Sequence, residues 1–240
     1  MLRVKEHSST STVGKIEICD KISKIITLGK DEKMITMIGH VDGQSRHYDD
    51  LFRIGGESLD QLVVVDTCKS TLENNIKMHE ILSKGEYAGK GTPTFIHSDV
   101  NTVLRNWDKS QKLGVIDFDG TSPANSYHAE FVSLARQLGV HHLIIVTTQR
   151  DRMCSKLREL AEQIFGTLPK VWRRAHLNKQ QQLEIRGHYN KYYAPWGWNP
   201  PVGRELLKLV VLSIGFNLEF DEDYMGVGKM SAMVFKNDFR

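Results

Sequence analysis

The sequence predicts a doubly wound α/β fold: a mostly parallel sheet with helices on both faces, ending in an antiparallel β-hairpin. Three observations predict it. Short, near-continuous apolar runs (Leu62-Val-Val-Val65, Gly114-Val-Ile116, Leu143-Ile-Ile-Val146) read as strands buried on both faces. Segments of helical period alternate with them, as parallel βαβ units require. The last two apolar segments are joined by Met225 to Gly228, a short connection carrying two glycines, which suits a hairpin.

Taken in order, residues 1–14 are polar and Ser/Thr-rich and read as a flexible arm, with a single domain from 15 to 240. Between Lys15 and Leu28 isoleucines recur without deciding between strand and helix. Lys33 to Gly39 reads as a strand running into His40-Val-Asp-Gly43, and a helix is expected from Tyr48, closed by Gly55-Gly56. Gln61 to Asp66 is the clearest strand of this half. Ser70 to Leu82 follows as a helix, with Leu72, Ile76, Ile81 and Leu82 as its expected buried stripe and Ser70 as its N-cap. The strand Thr94 to His97 ends in Ser98-Asp99, ahead of a short helix. After the strand beginning at Leu113 come a helix over about 124–138 and the strand His142 to Thr148. Arg150 to Phe165 has an amphipathic helical pattern, and periodicity fails over about 166–202, a basic and aromatic insertion. A helix over 203–213 and the hairpin strands complete the chain.

Bulk properties narrow the class. The chain has 240 residues, 40% hydrophobic and 25% charged, with a net charge of +3, which fits one globular domain and permits an anionic partner without demanding one. No apolar run approaches the ~20 residues of a membrane span, so no membrane partner is expected. Met1 to Ser9 lacks the apolar core of a secretion signal. Cys19, Cys68 and Cys154 form no Cys-x-x-Cys pair, which points to a reducing, cytoplasmic setting and away from a structural zinc site.

The chemistry collects at strand ends. Asp117 and Asp119 stand at the close of one strand, before the breaker Gly120 to Pro123. Open α/β sheets place ligands at such ends, and carboxylates there are costly without a partner. Asp66 closes the second strand, where an acid accepts hydrogen bonds from ribose hydroxyls in nucleoside-binding sheets; it equally suits capping of the next helix. Ser98 and Asp99 close the third, where the acid suits either an adenine amino group or the following helix. Gly39 and Gly43 would let backbone approach a ligand at the first strand–helix turn, although a G-x-G-x-x-G spacing is absent. From 150 to 191 ten Lys or Arg stand against four Asp or Glu. Arg150, Arg152, Arg173 and Arg174, with Tyr192, Tyr193, Trp196 and Trp198 beyond them, mix cations and rings in a way that suits phosphates and stacked bases.

The succession of a strand ending in Asp66, a strand ending in Ser98-Asp99, then Val-Ile-Asp-Phe-Asp-Gly-Thr121 and Leu-Ile-Ile-Val-Thr-Thr148 resembles the class I S-adenosylmethionine-dependent methyltransferases, in a divergent, phage-type form. The resemblance covers about residues 33–236 and implies a methyltransferase-like sheet and S-adenosylmethionine as cofactor, with no metal. It places Asp66 at the ribose, Asp99 at the adenine, Gly39 and Gly43 beneath the methionine part, and Asp117 and Asp119 facing the acceptor, a nucleic acid. The family's Asp/Asn-Pro-Pro-aromatic motif is replaced here by Asp117-Phe-Asp-Gly-Thr. That pentapeptide also matches the haloacid-dehalogenase-type phosphatase signature, which implies Asp117 as nucleophile, Asp119 as acid/base and bound magnesium. A third reading is a non-catalytic nucleic-acid or protein-binding module on the same sheet.

Overall fold

The computed structural model describes residues 13–37, 46–119, 126–148, 202–225 and 229–238. Helix α1 (Val13–Ile22) precedes strand β1 (Glu32–Met37) and helix α2 (Arg46–Arg53). Strand β2 (Leu62–Asp66), helix α3 (Lys69–Leu82), strand β3 (Thr94–His97) and helix α4 (Val100–Arg105) follow. Next come β4 (Lys112–Asp119), α5 (Ser126–Gln137) and β5 (His142–Thr148), and the last described elements are α6 (Val202–Ser213), β6 (Phe216–Met225) and β7 (Lys229–Asn237). The expected succession of elements is present among the described residues; the helix expected over Arg150 to Phe165 and nearly all of the insertion over about 166–202 lie outside them. Val13 and Gly14, expected in the arm, instead open α1, which resolves the ambiguous Ile-rich stretch as a helix.

Among the described residues the strands form one seven-stranded sheet in the order β3-β2-β1-β4-β5-β7-β6. Every pair from β3 to β5 is parallel, and β7 runs antiparallel to both β5 and β6. The chain builds outward from β1 through β2 to β3, then crosses back to lay β4 on the other side of β1. Right-handed crossovers in opposite directions put their helices on opposite faces. Accordingly Ile18 and Ile22 of α1, Tyr48 and Leu51 of α2 and Leu72 of α3 pack with Met34, Val64, Val115 and Ile144. Residues of α4, α5 and α6, among them Val100, Phe131 and Leu207, pack with Ile35, Val65, Ile116 and Ile145 on the other face.

Helix α3 departs from expectation in its register. Leu72, Asn75 and His79 are its buried residues, whereas Ile76 is 37% and Ile81 65% exposed. Along the stripe at 72, 75 and 79, Asn75 Nδ2 donates to the Thr71 carbonyl at 2.9 Å, and the His79 ring packs edge-on against Tyr48. The N-cap position is Cys68, and Ser70 lies inside the first turn. Asp66 Oδ1 accepts from the Cys68 N–H at 2.6 Å, so the chain turns two residues earlier than a Ser70 cap would require.

Strand β4 runs further than Gly114 to Ile116, continuing through Asp119. A Cβ at Gly114 would lie 2.3 Å from Glu32 Oε2, so a larger residue would displace that side chain from the Gly29 N–H, whose hydrogen bond it accepts at 2.8 Å. At the far edge of the sheet a buried cation joins α6 to the hairpin. Arg204, 4% exposed, binds Asp221 through Nη2 and lies 3.6 Å from Asp223, while Lys208 holds Asp221 at 2.8 Å. Replacing Arg204 by Met removes one partner of a buried ion network and is expected to cost about 3–5 kcal/mol of unfolding free energy. Urea denaturation of Arg204→Met checks this, and adding Asp221→Asn is expected to recover part of the loss.

Candidate functional site at the carboxyl rim

Strand alternation decides which side chains meet. Val63 and Val65 face α4–α6, so Val64 and Asp66 face α1–α3; by the same count Met34 and Thr36 on β1, and Val115, Asp117 and Asp119 on β4, share that face. Thr36 is paired with both Val64 and Asp117 across the two neighbouring strands. Asp66, Thr36, Asp117 and Asp119 therefore converge over three adjacent parallel strands at their carboxyl ends. The gap between β1 and β4, where strand order reverses, is the topological switch point at which such sheets bind ligands.

The β4 carboxylates have different surroundings. Asp119 is bound by the ammonium of Lys15, reaching down from α1, and both side chains are 14% exposed. Burial opposes the charge on Lys15, but Asp119 and more distantly Asp117 outweigh it, and its pKa rises above the ordinary lysine value. Among the described residues Asp117 accepts a long hydrogen bond, 3.4 Å, from Thr36 Oγ1. Burial first, then the charge of Asp119, push Asp117 up to about 7, with Asp50 of α2 adding to the rise and Lys15 opposing it. An acid that titrates near neutrality can exchange a proton with a bound group at physiological pH.

Asp66 is fixed at its strand tip by the Cys68 N–H, and the Ser98 N–H donates to the Asp66 carbonyl at 3.1 Å, tying the β2 and β3 ends together. Asp99 is the N-cap of α4: Oδ1 accepts from the Thr102 N–H at 2.9 Å and Oδ2 from the Thr102 hydroxyl at 2.5 Å. Of the two readings left open for Asp99, the geometry shows the helix cap. Beside Asp66 the exposed Cys68 thiol lies 3.2 Å from Ser70 Oγ, and hydrogen bonds from Ser70 and then Thr71 lower its pKa to about 7. Gly39, Gly43, and the set Arg150, Arg152, Arg173, Arg174, Tyr192, Tyr193, Trp196 and Trp198 lie outside the described residues.

Thus Asp66, Asp117 and Asp119 come together on one face of one rim, with Ser98 and Asp99 beside them at the β3 end. Sequence reasoning missed Lys15, Thr36 and Asp50. A signal for Lys15 existed: at positions 15, 18 and 22 it shares a helical stripe with Ile18 and Ile22, and a lysine on an apolar stripe requires an anionic partner. Thr36 is likewise a lone hydroxyl within an apolar strand. Nothing local marks Asp50.

No protein-family model matches the sequence, and no curated protein sequence matches it either. Solved structures do resemble it. A Corynebacterium glutamicum protein superposes with a TM-score of 0.53 at 11% identity, covering 95% of this chain and 84% of that one. A candidate rRNA-methylase from Clostridium thermocellum gives 0.51 at 11% identity, covering 96% and 99%. A candidate tRNA methyltransferase of Streptococcus pneumoniae, crystallised with S-adenosyl-L-methionine, matches more loosely, at 0.47 and 10% identity over 93% and 74%. What is shared at this level is architecture: the chain has the Rossmann-like fold of methyltransferases, a mostly parallel sheet closed by an antiparallel hairpin.

Proposed function

We propose that this protein is an S-adenosylmethionine-dependent methyltransferase whose acceptor is an amine or hydroxyl of a nucleic acid. The observation that carries the proposal is the convergence of Asp66, Asp117 and Asp119 on one face at the switch point of the sheet. The residues present fit the cofactor. Asp66 stands one strand from the switch point, oriented by the Cys68 N–H, where a carboxylate accepts hydrogen bonds from two ribose hydroxyls. Asp99, while capping α4, lies beyond the neighbouring strand end, on the side where the adenine would extend. The cofactor, when bound, supplies a methyl group on a positively charged sulfur. Asp117 and Asp119 then face the acceptor and orient it, and a carboxylate there takes its proton.

A nucleic-acid acceptor is supported by the cationic and aromatic composition of 150–199. It accords with the rRNA-methylase candidacy of the Clostridium thermocellum protein that shares this fold. The phosphatase reading has less behind it: its signature falls on the fourth strand, behind a complete β1–β3 unit, with Asp119 already engaged by Lys15.

Titration calorimetry with S-adenosylmethionine tests the reading. Binding is expected for the intact protein, and Asp66→Ala is expected to weaken it by about tenfold or more, the loss of a charged hydrogen bond. An absence of heat at millimolar cofactor overturns the proposal. Unchanged affinity in Asp66→Ala overturns the ribose assignment.

A further inference from the structure

The two β4 carboxylates are close in sequence and share a face, and among the described residues Lys15 makes its ion pair with Asp119. Helix α1 delivers that cation and is itself firmly held. Lys21 reaches Glu222 on β6 at 2.5 Å, Arg53 of α2 reaches Asp20 at 2.6 Å, and Ile18 and Ile22 are buried against the sheet. Lys15 is therefore presented by a docked helix rather than by a loose arm. Two carboxylates on one strand tip cannot both ionise cheaply without a counter-charge. The groups facing them are Thr36 from β1, Lys15 and Cys19 from α1, and Asp50 from α2.

We propose that Lys15 is the positioning residue of this site: its ammonium pins Asp119 as a carboxylate and leaves Asp117 as the group that takes the acceptor's proton. This rests on the methyl-transfer reading above. The step balances as follows. The acceptor nitrogen or oxygen forms a bond to the methyl carbon, the carbon–sulfur bond breaks with its electron pair going to sulfur, and the acceptor's surplus proton passes to Asp117. Asp119, held by Lys15, offsets the positive charge that builds up on the acceptor. The near-neutral titration of Asp117 agrees with this division, since a base works best when its pKa lies near the operating pH.

The test is carboxyl NMR on the full chain with labelled aspartate and no ligand, the two signals assigned from Asp117→Asn and Asp119→Asn spectra. In the wild type Asp117 is expected to titrate near neutrality. In Lys15→Met the Asp119 midpoint is expected to rise by more than about one pH unit, and Lys15→Arg is expected to restore it. Backbone spectra of both variants establish that α1 remains docked. If it detaches in Lys15→Met, Lys15→Gln, which keeps a hydrogen-bond donor but no charge, gives the same reading. Midpoints unchanged on loss of the Lys15 charge overturn the proposal. The outcome is independent of the calorimetry: absent cofactor binding with a shifted Asp119 removes the methyl-transfer reading, whereas unshifted carboxylates with cofactor bound remove only the role of Lys15.

Discussion

Asp117→Asn is expected to lower methyl transfer by about 10²–10⁴-fold, the usual loss when a positioned proton acceptor is removed, with little change in cofactor affinity. The same substitution is expected to stabilise the protein at pH 8. Above neutrality the wild-type Asp117 must ionise in a site where burial and Asp119 oppose its charge. A group whose pKa is raised on folding contributes stability that is full below its unfolded value of 3.8 and is lost as pH climbs through about 7. Asparagine keeps the shape and the Thr36 contact without that loss, so a gain of about 1–3 kcal/mol at pH 8 is expected. Two measurements decide it: transfer of labelled methyl groups to unmethylated total RNA and DNA, and urea unfolding at pH 8. A variant that is both less stable and fully active would show that Asp117 is structural.

Acid is expected to weaken the fold through its buried histidines. Burial lowers the pKa of His128, wholly buried against Phe118, and of His47 to about 4. In His47 the nearby His79 adds to the effect. Burial also lowers His79 and His142. These rings fold neutral, so the unfolded chain binds more protons than the folded one between about pH 6.5 and the folded values. Their contribution is full above 6.5 and disappears as pH falls. Asp117 works in the opposite sense over part of this range, gaining as pH falls from about 7 towards 3.8. His128 and His47 together outweigh Asp117, and His79 and His142 act in their direction, so a net loss of stability is expected between pH 7 and pH 4.5. His128→Leu is expected to remove about 2 kcal/mol of the difference between pH 7 and pH 5, read from urea unfolding at the two values. An unchanged difference would mean that His128 is not neutral in the folded protein.

Local pattern made much of the architecture legible. Val63 to Val65, Val115-Ile116 and Leu143 to Val146 announced central strands because both faces are covered and no polar alternation interrupts them. The glycines near 226–228 marked a hairpin, and β6 and β7 pair as one. The errors arose where tertiary docking outweighed composition. Ile76 and Ile81 were assigned to the core because they are apolar, but α3 docks through Leu72, Asn75 and His79. The choice between the two readings of Asp99, adenine acceptor and helix cap, likewise required coordinates, since a capping carboxylate and a ligand-facing one stand at the same place in a sequence.

By itself the sequence determined the strands, their ending in acids, and so a row of carboxylates along a single rim, because strand-tip chemistry and apolar runs are local properties. Only the tertiary structure decided that β4 returns beside β1, that Thr36 faces Asp117, and that Lys15 closes on Asp119. Those partners are 81 and 104 residues apart, and no local period connects them. The charge on each carboxylate, and hence which one carries a proton, follows from that long-range meeting.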